Sequence, residues 1–137
     1  MQHWLVKSEP ASYSWDQMVA DGHTNWNGVR NNQAALNLKA MKRGDRAFFY
    51  HSGEERAVVG VIEIIKEAYP DPGDPAGRFV MVDVKAMMPV KTPVTLAAIK
   101  AEPKLKSLAL VRQSRLSVVP IGAAEWEVIA KMAGIKA

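Results

Sequence analysis

The period of apolar positions along the chain changes several times, and each change marks an element. His3-Trp4-Leu5-Val6-Lys7 is short and rich in β-formers, which predicts a first strand ended by Pro10. Ser14 and Gln17 have capping-box spacing, with Tyr13 and Met18 placed as a hydrophobic staple. They predict a brief helix that Asp21-Gly22 stops. Ala34, Leu38 and Met41 recur at i, i+4, i+7, so a second helix is expected from about Asn31 to Met41. Asn37 falls on that apolar face, where a lone amide is costly unless bonded, and a tie to neighbouring backbone is its expected role.

The middle of the chain reads as β. Arg46–His51 predicts one strand, and Arg56–Glu67 a long β-branched one, with Gly60 marking a bulge or bend. Three prolines, two glycines and two aspartates between Tyr69 and Arg78 predict an exposed loop. From Phe79, Val80, Val82, Val84, Ala86 and Met88 alternate with Asp83 and Lys85. Thr95 is placed to cap a short helix through Ile99, Ser114–Val119 predicts a last strand ended by Pro120, and a final helix from about Ala123 to Met132 buries Trp126, Ile129 and Ala130. Strands follow one another without helices between them, so the expected class is α+β, a small closed or strongly bent sheet with helices at its ends.

Length and composition narrow this further. A chain of 137 residues makes one domain able to bury roughly two thirds of its unfolded surface. No apolar run reaches the ~20 residues of a membrane span, no signal segment opens the chain, and there is no cysteine, so a cytoplasmic location with no membrane partner is expected. The net charge is only +4, but residues 100–137 hold seven Lys/Arg against three Asp/Glu and carry all of it. Localised positive charge suits a polyanion such as a nucleic-acid backbone, although a solvated surface segment has the same composition.

Candidate chemistry concentrates in Trp26-Asn27-Gly28-Val29-Arg30-Asn31. A Trp face can stack a flat ring, an Asn side chain can meet its edge as donor and acceptor, and an Arg fork carries permanent charge. Taken singly, the same residues describe a tight loop with a core Trp and an N-cap Asn. With the Phe48-Phe49-Tyr50-His51-Ser52 run, Trp26 and Tyr50 are expected to frame a slot for one planar heterocycle, with Trp4 or Trp15 as a further candidate face. Ser8, Asn31, His51 and Ser52 would meet its edges, while Lys7, Arg30, Arg112 and Arg115 would supply charge. Stacking is worth ~1–3 kcal/mol per base, about what extruding a base costs. Useful affinity must therefore come from edge hydrogen bonds and phosphate contacts. The three histidines lack metal-ligand spacing, and no phosphate loop, dinucleotide fingerprint or nucleophile elbow is present, so no metal, cofactor or catalytic residue is expected.

The motifs Trp4-Leu5-Val6-Lys7-Ser8-Glu9-Pro10, Tyr13-Ser14-Trp15, Trp26-Asn27-Gly28-Val29-Arg30-Asn31, Phe48-Phe49-Tyr50-His51-Ser52 and Ser114-Arg115-Leu116-Ser117-Val118 resemble those of EVE-domain proteins of the PUA-like superfamily. The resemblance spans nearly the whole chain, as one domain over 1–137. It implies a PUA-like β-barrel flanked by helices, and a pocket for a base swung out of its strand, with modified cytosine the expected ligand. By the resemblance, Trp26 and Tyr50 are pocket aromatics, and Lys7, Ser8, Arg30, Asn31, His51 and Ser52 line the pocket or its mouth. Arg112 and Arg115 meet the nucleic-acid backbone. The implied partners are DNA or RNA carrying a modified base, with a nuclease or modification enzyme acting alongside. Two other readings stand beside it: an amidohydrolase like those with ASCH domains, using Lys7, Ser8 and Glu9 on a modified pyrimidine nucleoside, and an RNA-binding module indifferent to modification.

Overall fold

Arg46–His51 forms the strand about which the two halves of the core divide, because its aromatic side chains alternate between faces. The computed structural model describes residues 1–137. Its strands are β1 (His3–Ser8), β2 (His23–Trp26), β3 (Arg46–His51), β4 (Ala57–Pro70), β5 (Val80–Thr95) and β6 (Val118–Ile121). The helices are α1 (Trp15–Asp21), α2 (Asn32–Ala40), α3 (Leu96–Ala101), α4 (Ala109–Arg112) and α5 (Ala123–Met132). All six strands join one sheet in the order β2-β5-β4-β3-β1-β6, with β1 and β3 parallel and every other pair antiparallel. On one face of β3, Phe48 stacks on Trp126 of α5 at 3.8 Å. On the other, Phe49 meets Trp15 at 5.4 Å and Trp26 at 5.5 Å, both edge-on.

The α+β class stands, but the sheet is not closed by hydrogen bonds. Its outer strands, β2 and β6, do not pair with each other and are four residues long apiece, which leaves little ladder with which to close. Curvature comes instead from β4, whose pairing with β5 shifts register four times. Gly60 sits at one of these shifts, as its position in the strand predicts, and for a second reason too. A Cβ there would lie 2.5 Å from the Trp15 ring, so the indole rests directly on the backbone of β4.

Local chemistry sets the helix starts. Ser14 accepts the Gln17 N–H at 3.1 Å, Asn31 accepts the Ala34 N–H at 2.9 Å, and Thr95 accepts the Ala98 N–H at 3.1 Å. Asn37 is buried and donates to the Val118 carbonyl at 2.7 Å, the backbone tie expected of it. Two elements depart from the pattern. β2 was not legible because three of its four residues are not buried and it lies on an edge, where only Trp26 enters the core. β6 begins later than expected and runs through Pro120, which an edge strand tolerates because one row of its N–H groups has no partner.

Candidate functional site

The end of β1, the turn after it and the end of β2 enclose a cleft of about 590 Å³. Lys7, Ser8, Glu9, Ser12 and Tyr13 form one wall, Thr24 to Arg30 the other, and Ser117 closes one side. Trp26 is 8% exposed, and it meets the edges of Phe49 at 5.5 Å and Tyr13 at 6.4 Å. Those contacts fix the indole plane. Tyr13 donates its hydroxyl to Asp21 at 2.8 Å, and burial together with that carboxylate pushes its pKa up to about 12, so it stays a neutral donor.

The far wall depends on a residue that the sequence pattern did not single out. Asp71 lies in the proline- and glycine-rich connection between β4 and β5, yet it is only 3% exposed. One carboxylate oxygen accepts the Gly28 N–H at 2.9 Å and the Arg30 guanidinium at 3.0 Å, and the other accepts the Gly73 N–H at 2.8 Å. Gly28 has φ +80°, a left-handed turn that carries the wall from Trp26 toward Arg30. The Gly28 N–H first, then Arg30 and Gly73, hold the Asp71 carboxyl below its usual value, against burial that would raise it. The connection is therefore part of the site and not a free loop. Asp71 two residues before Gly73 is the one local signal for it, an Asx-type turn.

Arg30 is consequently a paired cation. Its Nη1 is spent on Asp71 and on the Val29 carbonyl, and its guanidinium lies 5.4 Å from the Phe79 ring centroid. Lys7 is the cation of the cleft with no carboxylate partner, and it donates to the Ser114 carbonyl at 2.9 Å. Burial lowers its pKa. That bond draws the 112–117 segment against the cleft. On the segment's other side lies a shallow depression of about 350 Å³, lined by Asn31, Gln33, Arg112, Gln113, Ser114, Arg115 and Leu116. Neither Arg112 nor Arg115 makes an ion pair within the chain, so two free cations stand beside Lys7.

Trp26, Ser8, Lys7 and Arg30 thus come together, whereas the six other expected site residues do not line the cleft. Arg112, Arg115 and Asn31 stand in the neighbouring depression, and Tyr50, His51 and Ser52 are held elsewhere. Tyr50 follows Phe49 on β3 and so points to the opposite face from Trp26, where it is 3% exposed and lies under Lys7 at 5.8 Å. No slot forms between Trp26 and Tyr50; the cleft lies between Trp26 and the turn at Ser8–Tyr13. His51 shares the face of Phe49 but its ring is occupied. Nε2 accepts the Trp15 N–H at 2.9 Å, which leaves Nδ1–H to face Glu55 at 2.7 Å. Ser52 donates its N–H to the Ser8 carbonyl, pinning β3 to β1 without lining the cleft. Asn31 caps α2 and lines the neighbouring depression. Ser8 itself donates its hydroxyl to the Tyr13 carbonyl, leaving only its lone pairs for a ligand. No hydrogen bond joins Lys7, Ser8 and Glu9 to one another, and no group of three His, Cys, Asp or Glu side chains is arranged to hold a metal ion. No helix is long and apolar enough to cross a membrane.

The fold recurs among known proteins. The structure superposes on Rpa0253 of Rhodopseudomonas palustris with a TM-score of 0.93 at 59% identity, covering 98% of this chain and 94% of that one. Human THYN1, solved in complex with 5-methylcytosine-containing DNA, matches with a TM-score of 0.93 at 32% identity over 100% of both chains. Human thymocyte nuclear protein 1 is 35% identical over 161 aligned positions, which span 93% of this chain and 72% of that protein. Residues 2–132 match the model of the EVE domain, and the chain belongs to that family.

Proposed function

We propose that this protein is a non-enzymatic reader of a modified nucleobase, which it takes from DNA or RNA as a base swung out of its strand into the cleft beside Trp26. The observation that carries the reading is the pairing of that aromatic-walled cleft, which holds Lys7, with an adjoining depression that carries the unpaired Arg112 and Arg115. The 5-methylcytosine DNA bound by human THYN1 supports the ligand class, and makes modified cytosine the base to test first.

The energetics divide the work. Stacking on one indole is worth ~1–3 kcal/mol, close to what extrusion costs, so the cleft supplies discrimination and the cations supply affinity. An extra methyl group on a base, buried against Trp26 and the Tyr13 ring, is worth about 1 kcal/mol, a several-fold preference. In this reading the domain acts by bringing a nuclease or modification enzyme to the base. The amidohydrolase reading requires Lys7, Ser8 and Glu9 to touch one another, and the hydrogen bonds of Lys7 and Ser8 lead elsewhere.

The test is titration of oligonucleotides that differ only in the central base, cytosine or 5-methylcytosine, with wild type and Trp26→Ala. Wild type is expected to prefer the modified base and the variant to bind both equally. Because Trp26 is buried, truncation costs about 3–5 kcal/mol of stability, so Trp26→Phe is the folded control with reduced discrimination. Equal wild-type affinity for modified and unmodified strands of every kind tried sinks the reading and leaves the indifferent RNA-binding module.

A further inference from the structure

Beside the cleft, the depression on the other side of the 112–117 segment carries polar groups that the base-reading cleft does not use. Most of its amides are already committed. Asn31 gives its oxygen to the Ala34 N–H, and Gln33 gives its Nε2 to Asn37 at 3.2 Å. Gln113 is different. Its exposed side chain makes no hydrogen bond within the protein, while its backbone is fixed at both ends. Its N–H donates to the Ala109 carbonyl at 2.7 Å, and its own carbonyl accepts the Leu116 N–H at 3.0 Å. Leu116 is buried and anchors the turn. A free carboxamide thus stands on a rigid turn between two unpaired guanidinium groups, adjoining the cleft through the Lys7–Ser114 bond.

Two cations flanking an amide set a phosphate track with one base-edge reader in it. A carboxamide offers a donor and an acceptor side by side, and among the edges a duplex shows in its major groove the one matching both at once is that of adenine, through N7 and the N6 amino group. Phosphate contacts from Arg112 and Arg115 would fix register without reading sequence. Resting on the proposed reading of the cleft, we infer that Gln113 selects the nucleotide next to the modified one, and that it favours adenine there.

The experiment holds the central 5-methylcytosine constant and varies each flanking nucleotide in turn through the four bases. Wild type is expected to bind about tenfold tighter when adenine occupies one particular flanking position, the size of one bidentate base contact. In Gln113→Ala that preference should vanish while the ratio of modified to unmodified affinity stays at its wild-type value. A thermal melt checks that the variant is folded. Flat affinities across all flanking bases, a preference for another base, or an adenine preference that survives Gln113→Ala each overturn the inference. Failure of the cleft reading shows itself separately, as loss of the modified-to-unmodified ratio in wild type.

Discussion

Asp71 and Arg30, 41 positions apart, are joined at 3.0 Å, and the same carboxylate oxygen takes the N–H of Gly28 between Trp26 and Arg30. The wall of the cleft that carries the indole is therefore shaped from the β4–β5 connection. Replacing Asp71 with Ala should cost about 1–3 kcal/mol and weaken discrimination between modified and unmodified bases, though Asp71 does not line the cleft. Denaturant melts paired with binding titrations check both. Unchanged discrimination in a destabilised variant would reduce Asp71 to a purely structural role.

The same carboxylate sets a pH dependence. Its folded pKa lies below the unfolded one, so its contribution is fully present at neutral pH and is lost as acid protonates it, below about pH 4. Stability of wild type should fall across that window more steeply than stability of Asp71→Asn. Parallel curves for the two proteins would show that Asp71 contributes nothing to the acid limb.

Arg112 and Arg115 are expected to act on every sequence alike. Either one changed to Ala should weaken binding to modified and unmodified strands by the same factor, and reduce the slope of log affinity against log salt by about one. The measurement is a salt series at several concentrations. A selective loss for the modified strand would place the arginine in base recognition instead.

His51 marks the reverse case. Its ring bonds the start of α1 to the end of β3, and it does not line the cleft. His51→Ala should cost about 1–3 kcal/mol by leaving the buried Trp15 N–H without a partner, and leave the affinity ratio intact. A folded His51→Ala that no longer discriminates would return this histidine to the ligand.

Gly60 gives a stability test in the opposite direction, by addition. Gly60→Ala places a methyl group 2.5 Å from the Trp15 ring, and the indole must move. An overpacking cost of about 1–3 kcal/mol is expected, read as a lowered melting temperature. No change would mean that the Trp15 ring is not seated on β4.

These sites also show what was legible along the chain. Strand alternation and capping spacings found β1, β3, β4, β5 and the helix starts at Ser14, Asn31 and Thr95, because those signals act over a few residues. The proximity of Trp26 to Lys7 and Ser8, expected from their stacking, edge and charge chemistry and from the motif resemblance, holds in the cleft. The slot between Trp26 and Tyr50 failed on parity. Phe49 occupies Trp26's side of β3, and its neighbour must face away. Asp71 escaped notice because its partners, Gly28 and Arg30, lie more than 40 positions away and no local period links them. β2 escaped because an edge strand with one buried residue carries no alternation to read.

The outer margin of β6 bears on how the molecule behaves when concentrated. Lys7 takes the Ser117 carbonyl, so the peptide groups of Val118 and Pro120 face outward. The Val118 oxygen is already taken by Asn37, and Pro120 has no hydrogen to donate. A second copy approaching that margin finds two of the four rungs it needs missing, which disfavours strand pairing along the β6 edge.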